Sequence, residues 1–266
     1  QNGFCSGGSD SRTLYGGAGN DLIFGGAGTD TLDGGTGKDY FLGGDGADII
    51  VIRPGDGSTS LSDVDIIYDF ADGTDIIGLD GVVFDDLTIV QGTGTNASHT
   101  LVSITSSGEY LLMLDSISVS NVSAPDFSST STADQTINGT SSDNTLIGGA
   151  GNDTFSGGAG SDQIYGQAGD DTITVSNKSG SYTDTIDGGA GTDSLTISYS
   201  GVTSLANMTV TTSGDYMVLT DANGGSVQYK NIESLTVGSY SYTEVVRYGV
   251  SQGGLWDSSG GVLYLY

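Results

Sequence analysis

A nine-residue pattern, Gly-Gly-x-Gly-x-Asp-x-U-x with U apolar, recurs head to tail in two blocks and leaves this chain little freedom in what it can fold into. The first block reads GGSDSRTLY, GGAGNDLIF, GGAGTDTLD, GGTGKDYFL and GGDGADIIV, unbroken from Gly7 to Val51. The second reads GTSSDNTLI, GGAGNDTFS, GGAGSDQIY and GQAGDDTIT from Gly139 to Thr174, then GGAGTDSLT from Gly188 after an insertion. The U positions are Leu14, Ile23, Leu32, Phe41, Ile50, Leu146, Phe155, Ile164, Ile173 and Leu195. A unit this short buries its apolar residue only by stacking on its neighbours, so the pattern predicts a repeat architecture.

Within each unit the first six residues form a tight turn and the last three a short strand. Glycine at positions one, two and four permits positive φ and brings carbonyl oxygens inward, and aspartate at position six adds a carboxylate. Hard oxygens of this kind suit Ca²⁺, which takes roughly 6–8 of them, more than one turn can supply.

The repeats resemble the calcium-binding RTX repeats of secreted bacterial proteins, whose nonapeptides wind into a parallel β-roll. The resemblance implies an all-β chain of two such rolls, each closed by a β-strand cap. Two units make a coil, so each turn lies beside the turn 18 residues on, and the two share an ion through carbonyls and both aspartates. Carried onto this chain, Gly17, Gly19 and Asp21 pair with Gly34, Thr36 and Asp39. On the opposite edge, Gly26, Gly28 and Asp30 pair with Gly43, Asp45 and Asp48. In the second block Gly149, Gly151 and Asp153 face Gly166, Ala168 and Asp171. Across the insertion, Gly158, Gly160 and Asp162 pair with Gly188, Ala190 and Asp193. Arg12 replaces aspartate in the first repeat, which predicts a weak, vacant or differently liganded pairing with Gly25, Ala27 and Asp30; Asn144 opens the second block with an amide oxygen that can still coordinate.

Two blocks predict two domains, residues 1–128 with a roll over 7–51 and residues 129–266 with a roll over 139–196. The stretch from Asp63 to Gly81, followed by LTIVQG, HTLVSIT and EYLLMLD, reads as strands of an antiparallel cap, and Ser128 to Asn144 as a Ser/Thr-rich linker. The second cap is expected from NMTVTTSG, DYMVLTD, SVQYKN, ESLTVG and YTEVVRYG. No segment shows a 3.6-residue apolar period, so little helix is expected.

Six Lys and Arg against 33 Asp and Glu give a net charge of -27, which disfavours nucleic acid and anionic membranes as partners. No apolar run is long enough for a membrane-spanning helix. Cys5 is the one cysteine, which leaves only an intermolecular bridge open. The chain starts at Gln1 with no basic-then-apolar leader, as expected of a processed chain or a fragment.

The residues point away from an enzyme. Gly249-Val250-Ser251-Gln252-Gly253 fits a nucleophile elbow, but the single histidine, His99, precedes it, where that fold needs one after the serine. One histidine cannot build a zinc-protease HExxH site. Gly3-Phe4-Cys5-Ser6-Gly7 reads as a leading turn. The expectation is a calcium-binding structural protein, extracellular or on the cell surface and exported by a type I system. Its partners would be further copies of itself or cell-surface polysaccharide, with Tyr240, Tyr242, Tyr248, Trp256, Tyr264 and Tyr266 as subunit contacts or cap core. The alternative is a C-terminal secretion and stabilising module of a larger toxin, protease, lipase or adhesin, with the tail Gly260 to Tyr266 as export signal or last cap strand. A flat threonine-rich ice-binding face does not fit the mixed residues at positions seven and nine. Six Asn-x-Ser/Thr sequons are present, beginning with Asn96 and Asn121.

Overall fold

The structure, a computed structural model, describes residues 2–176, 178–246, 253–257 and 263–265. It divides into two units, Gln1–Thr130 and Ser131–Tyr266, and contains strands and single-turn 3₁₀ segments.

The first unit contains β1 (Phe4–Gly8), β2 (Thr13–Ala18), β3 (Leu22–Ala27), β4 (Thr31–Thr36), β5 (Tyr40–Asp45), β6 (Ile49–Ile52), β7 (Ile66–Ile67), β8 (Ile76–Leu79), β9 (Leu87–Gln91), β10 (Thr100–Ile104), β11 (Tyr110–Leu114) and β12 (Phe127–Ser129). The chain alternates between two sheets, β1-β3-β5-β7-β11-β10-β9 and β12-β8-β6-β4-β2. Because β1 to β6 each pair in parallel with the strand two further on, U residues stack on U residues. One column runs Cys5, Ile23, Phe41, Ile67, Leu114 and the other Leu14, Leu32, Ile50, Ile77, Phe127. From Ile23 through Ile77 these side chains are buried between the sheets.

The second unit repeats the plan with β13 (Thr136–Asn138), β14 (Thr145–Ile147), β15 (Thr154–Ser156), β16 (Gln163–Tyr165), β17 (Thr172–Ser176), β18 (Thr183–Asp187), β19 (Ser194–Ser198), β20 (Met208–Ser213), β21 (Tyr216–Asp221), β22 (Ser226–Lys230), β23 (Ser234–Val237), β24 (Tyr240–Val246), β25 (Gly253–Asp257) and β26 (Leu263–Leu265). Its sheets are β13-β15-β17-β19-β23-β24-β25-β26 and β14-β16-β18-β22-β21-β20. The columns are Ile137, Phe155, Ile173, Leu195, Leu235 and Leu146, Ile164, Ile186, Tyr229. Both units are thus parallel β-rolls, each capped by antiparallel strands: β9, β10 and β11 in the first, β20 to β22 and β23 to β26 in the second.

Three sequence expectations are corrected. The stretch from Asp63 to Gly81 is not part of an antiparallel cap: β7 and β8 continue the roll in parallel, Tyr40 opposite Ile66 and Ile49 opposite Ile76. The Ser/Thr-rich stretch before Asn144 is not only a linker, because β13 within it pairs with β15. The leading Gly3 to Gly7 segment is not a turn but falls largely in β1 (Phe4–Gly8), and Cys5, half-buried, takes a U position. Tyr242 belongs to the second cap's core while Tyr240 is exposed. Tyr248, Tyr266, residues 249–252 of the elbow-like motif, and the side chains of Trp256 and Tyr264 lie outside the described residues.

A core one residue wide per sheet makes each U side chain count. Ile164→Ala is expected to lower calcium-saturated stability by about 2–5 kcal/mol. Leu14→Ala, at a half-buried end position, should cost less than half of that. Equal shifts of the thermal midpoint for the two variants would contradict the column arrangement.

Candidate metal sites

Each turn places its position-six carboxylate inside the coil edge, where one oxygen binds the neighbouring coil. The Asp21 N–H donates to Asp39 Oδ1 at 2.8 Å, and the Asp39 N–H to Asp65 Oδ1 at 2.7 Å. On the opposite edge Asp30 donates to Asp48 Oδ1 at 2.8 Å and Asp48 to Asp75 Oδ1 at 3.1 Å. In the second unit Asp153 donates to Asp171 at 2.7 Å, Asp171 to Asp193 at 2.8 Å, and Asp193 to Glu233 Oε2 at 2.7 Å. Its other edge runs from Asn144 to Asp162 at 3.0 Å and from Asp162 to Asp184 at 2.9 Å. The donor is always a backbone N–H, so Arg12 keeps the ladder intact, its N–H reaching Asp30 Oδ1 at 2.8 Å.

The second carboxylate oxygen is left over. Oδ2 of Asp21, Asp30, Asp39, Asp48, Asp171, Asp184 and Asp193 is buried and has no hydrogen-bond partner. Burying an ionised oxygen without a partner is strongly unfavourable, so each marks a place that a cation fits. The turn backbones leave room for these oxygens through the position-one glycines, whose φ is not positive. A Cβ at Gly34 would lie 2.2 Å from Asp39 Oδ2, and one at Gly43 2.4 Å from Asp48 Oδ2. The first glycine of the motif therefore gives the carboxylate space, which corrects the expectation that it serves backbone freedom. Positive φ belongs to positions two and four, as at Gly17 (99°) and Gly19 (117°).

The structure brings together the turns of Gly17, Gly19 and Asp21 with Gly34, Thr36 and Asp39. Ala18 lies opposite Thr36, and the Gly19 N–H donates to Thr36 O at 2.9 Å. Gly26, Gly28 and Asp30 meet Gly43, Asp45 and Asp48 in the same way, with the Gly28 N–H on Asp45 O at 2.9 Å. Gly149, Gly151 and Asp153 lie beside Gly166, Ala168 and Asp171, the Ala168 N–H donating to Gly149 O at 3.0 Å. Two carboxylates and the backbone carbonyls of two adjacent turns are a donor set suited to Ca²⁺. The described residues contain no cluster of three or more His, Cys, Asp or Glu side chains that could hold a metal by themselves.

The fourth pairing is corrected. Gly158, Gly160 and Asp162 do not meet Gly188, Ala190 and Asp193; Asp162 stacks on Asp184, within the insertion, and Asp193 stacks on Asp171 with Ala168 opposite Ala190. The insertion thus adds a strand to the roll, not a loop beside it. Asn144 occupies a carboxylate position, but its Oδ1 accepts the N–H and Oγ1–H of Thr140 in its own turn, which satisfies that oxygen locally. Asp65, Asp75, Asp184 and Glu233 are ladder members that a search keyed to glycine spacing misses. Their signal is the acid-x-apolar triplet: Asp65-Ile66-Ile67, Asp75-Ile76-Ile77, Asp184-Thr185-Ile186 and Glu233-Ser234-Leu235.

Burial, reinforced by neighbouring carboxylates, raises the pKa of Asp39 to about 6, of Asp171 to about 7 and of Asp65 to about 8; Asp48, Asp75, Asp184 and Asp193 shift the same way. Between pH 4 and these raised values the folded metal-free roll holds protons that the unfolded chain releases, so its stability falls as pH rises through that window. In chelator, far-UV circular dichroism should therefore show more strand at pH 4.5 than at pH 8. A flat profile over that range would count against buried, uncompensated carboxylates. Asp39→Asn keeps an acceptor for the Asp21 N–H but removes a charge, and should raise the calcium midpoint of strand formation about tenfold. An unchanged midpoint would remove Asp39 from the site.

The family model described as the RTX calcium-binding nonapeptide repeat matches the chain four times, over residues 6–41, 15–50, 133–174 and 179–196. Among solved structures, the AlgE6R3 subunit of the Azotobacter vinelandii mannuronan C5-epimerase is 26% identical, covering 47% of this chain and 78% of its own, with a TM-score of 0.37. The AlgE6R2 subunit of the same enzyme is 23% identical over 48% of this chain and 91% of its own, with a TM-score of 0.35. The extracellular lipase LipA from Serratia marcescens is 17% identical over 86% of this chain and 38% of its own, with a TM-score of 0.23. No curated protein sequence matches the chain.

Proposed function

The chain carries RTX calcium-binding nonapeptide repeats in both units, and from that premise we propose that it is a secreted structural protein that folds on calcium outside the cell and assembles with copies of itself into a surface layer or filament. The observation that carries this reading is the set of buried, partnerless Oδ2 atoms along the coil edges. With a net charge of -27, the chain has few cations of its own to neutralise them. Calcium, when bound, supplies the missing charge. The residues assigned to hold it are the paired turns of Asp21 with Asp39, Asp30 with Asp48, Asp153 with Asp171 and Asp171 with Asp193. Ordering is then coupled to calcium, so the chain stays loose at cytoplasmic calcium and passes a type I channel before it folds.

Self-assembly draws support from the first strands of the first roll. β1 and β2 pair on one side only, and Phe4 and Tyr15 on them are each 67% exposed. An unpaired strand edge carrying exposed aromatics is a surface on which a further strand, from this protein or from a copy, can pair. The reading assigns no catalytic step to the chain. His99 instead joins neighbouring cap segments, its Nδ1 accepting the Ser116 N–H at 3.0 Å and lying 3.1 Å from Asp115.

The test is circular dichroism and sedimentation velocity on one preparation, divided between millimolar calcium and chelator, with negative-stain electron microscopy of both. Calcium-induced strand content together with sheets or filaments is the expected result. Calcium-induced folding to a lasting monomer would favour a detached secretion module, and assembly only on added polysaccharide would make that polymer the partner. Full strand content in chelator at pH 8 would overturn the calcium reading itself.

A further inference from the structure

One interval of the second roll differs from its neighbours in what faces its carboxylates. Between the turn that ends at Asp162 and the coil edge at Asp184 lies the ammonium of Lys178, 2.8 Å each from Gly160 O, Asp162 Oδ2 and Asp184 Oδ1. The Lys178 side chain is 1% exposed and that of Asp162 0%, and the ammonium also lies 5.2 Å from the Tyr182 ring centroid. The equivalent interval between Asp30 and Asp48 has a partnerless Oδ2 on both carboxylates, as does that between Asp171 and Asp193, whereas here Asp162 Oδ2 is taken up by Lys178 and only Asp184 Oδ2 stays partnerless. Here Asp162 Oδ2, a position-four carbonyl and the next carboxylate converge on Nζ, the mixed donor set described above.

The local sequence accounts for the exchange. Counting back from Asp184, the turn is Ser179-Gly180-Ser181-Tyr182-Thr183, with serine at position one and a buried tyrosine at position four. Gly180 keeps the positive φ of position two (74°), so the turn is a degenerate member of the series. The ladder offset here is 22 residues against 18 in the regular repeats, and Lys178 sits in the additional length. We infer that Lys178 fills this interval in place of a calcium ion. The second roll thus carries one built-in cation, and its Asp162–Asp184 edge closes without calcium. This assignment rests on the calcium reading of the other intervals.

A monovalent ammonium on a tether suits the place in a way a free ion does not. It is present at any calcium concentration, so once the roll forms this interval, unlike its neighbours, does not await the metal.

The experiment counts ions on the full chain by native mass spectrometry in a calcium titration, for wild type, Lys178→Ala and Lys178→Ala/Asp184→Asn. Lys178→Ala should bind one more calcium than wild type, and the double variant should lose that gain. Equal counts for wild type and Lys178→Ala overturn the inference, whereas a wild type that binds none overturns the calcium reading beneath it. Amine acylation of wild type in saturating calcium gives a second readout that needs no variant to fold. Lys38, Lys178 and Lys230 are the lysines of the sequence, and Lys178 should stay unmodified while the two more exposed ones react. Acylation of Lys178 at the rate of Lys38 means that calcium evicts it, and overturns the inference.

Discussion

The bond from a backbone N–H to the Oδ1 of the aspartate one coil on sets the pitch of both rolls, and the rest of the structure follows from it. It holds each turn against the next and turns the other carboxylate oxygen into the edge. The apolar columns cannot compensate alone. Each coil buries one U residue per sheet, on the order of 2 kcal/mol, against roughly 1–2 kcal/mol of backbone entropy for every residue ordered in its turns. The ladder organises the fold and at the same time creates the charge that makes the fold depend on a cation.

How much of this was legible in the sequence depends on which role a residue serves. U residues and position-six acids serve the strand and the ladder, which every coil needs, and so they recur wherever the roll continues. The glycines serve only turn geometry and are dispensable where the chain takes a longer route. Reading by glycine therefore found Gly7 to Val51 and lost the roll at Arg53, although Asp65-Ile66-Ile67 and Asp75-Ile76-Ile77 repeat Asp48-Ile49-Ile50. The same bias hid Thr136-Ile137 in a Ser/Thr-rich stretch and Asp184 in an insertion. The cap strands β10 and β11 were visible as apolar runs, but the parallel pairing of β11 with β7 depends on contacts distant in sequence, and no local pattern encodes it.

Arg53 and Lys230, like Lys178, are placed on carboxylates from other coils. Arg53 reaches Asp33 and Asp56 at 2.8 Å and Asp80 at 2.9 Å, joining β4 to the segment beyond β8, and those contacts raise its pKa further. Lys230 holds Asp187 at 2.8 Å between β22 and β18. These pairs are partly exposed and each adds little by itself. Their positions match the departures from strict repetition: Arg53 stands where the regular repeat ends, and Lys230 on the first cap strand that joins the roll. Where the turn pattern lapses, the chain supplies a fixed charge of its own.

The ladder offsets have a further consequence. Successive acids are 18 residues apart in the regular repeats but 22, 26, 27 and 40 apart elsewhere, and the hydrogen bond stays between 2.7 and 3.1 Å. The roll keeps count in coils, not in residues. Additional chain is accommodated between rungs while the carboxylate returns to its own, and lengthening a loop there costs entropy only logarithmically. Each rung is consequently a permissive graft point, and a scaffold built this way can change what it displays along its flank without altering what holds it up.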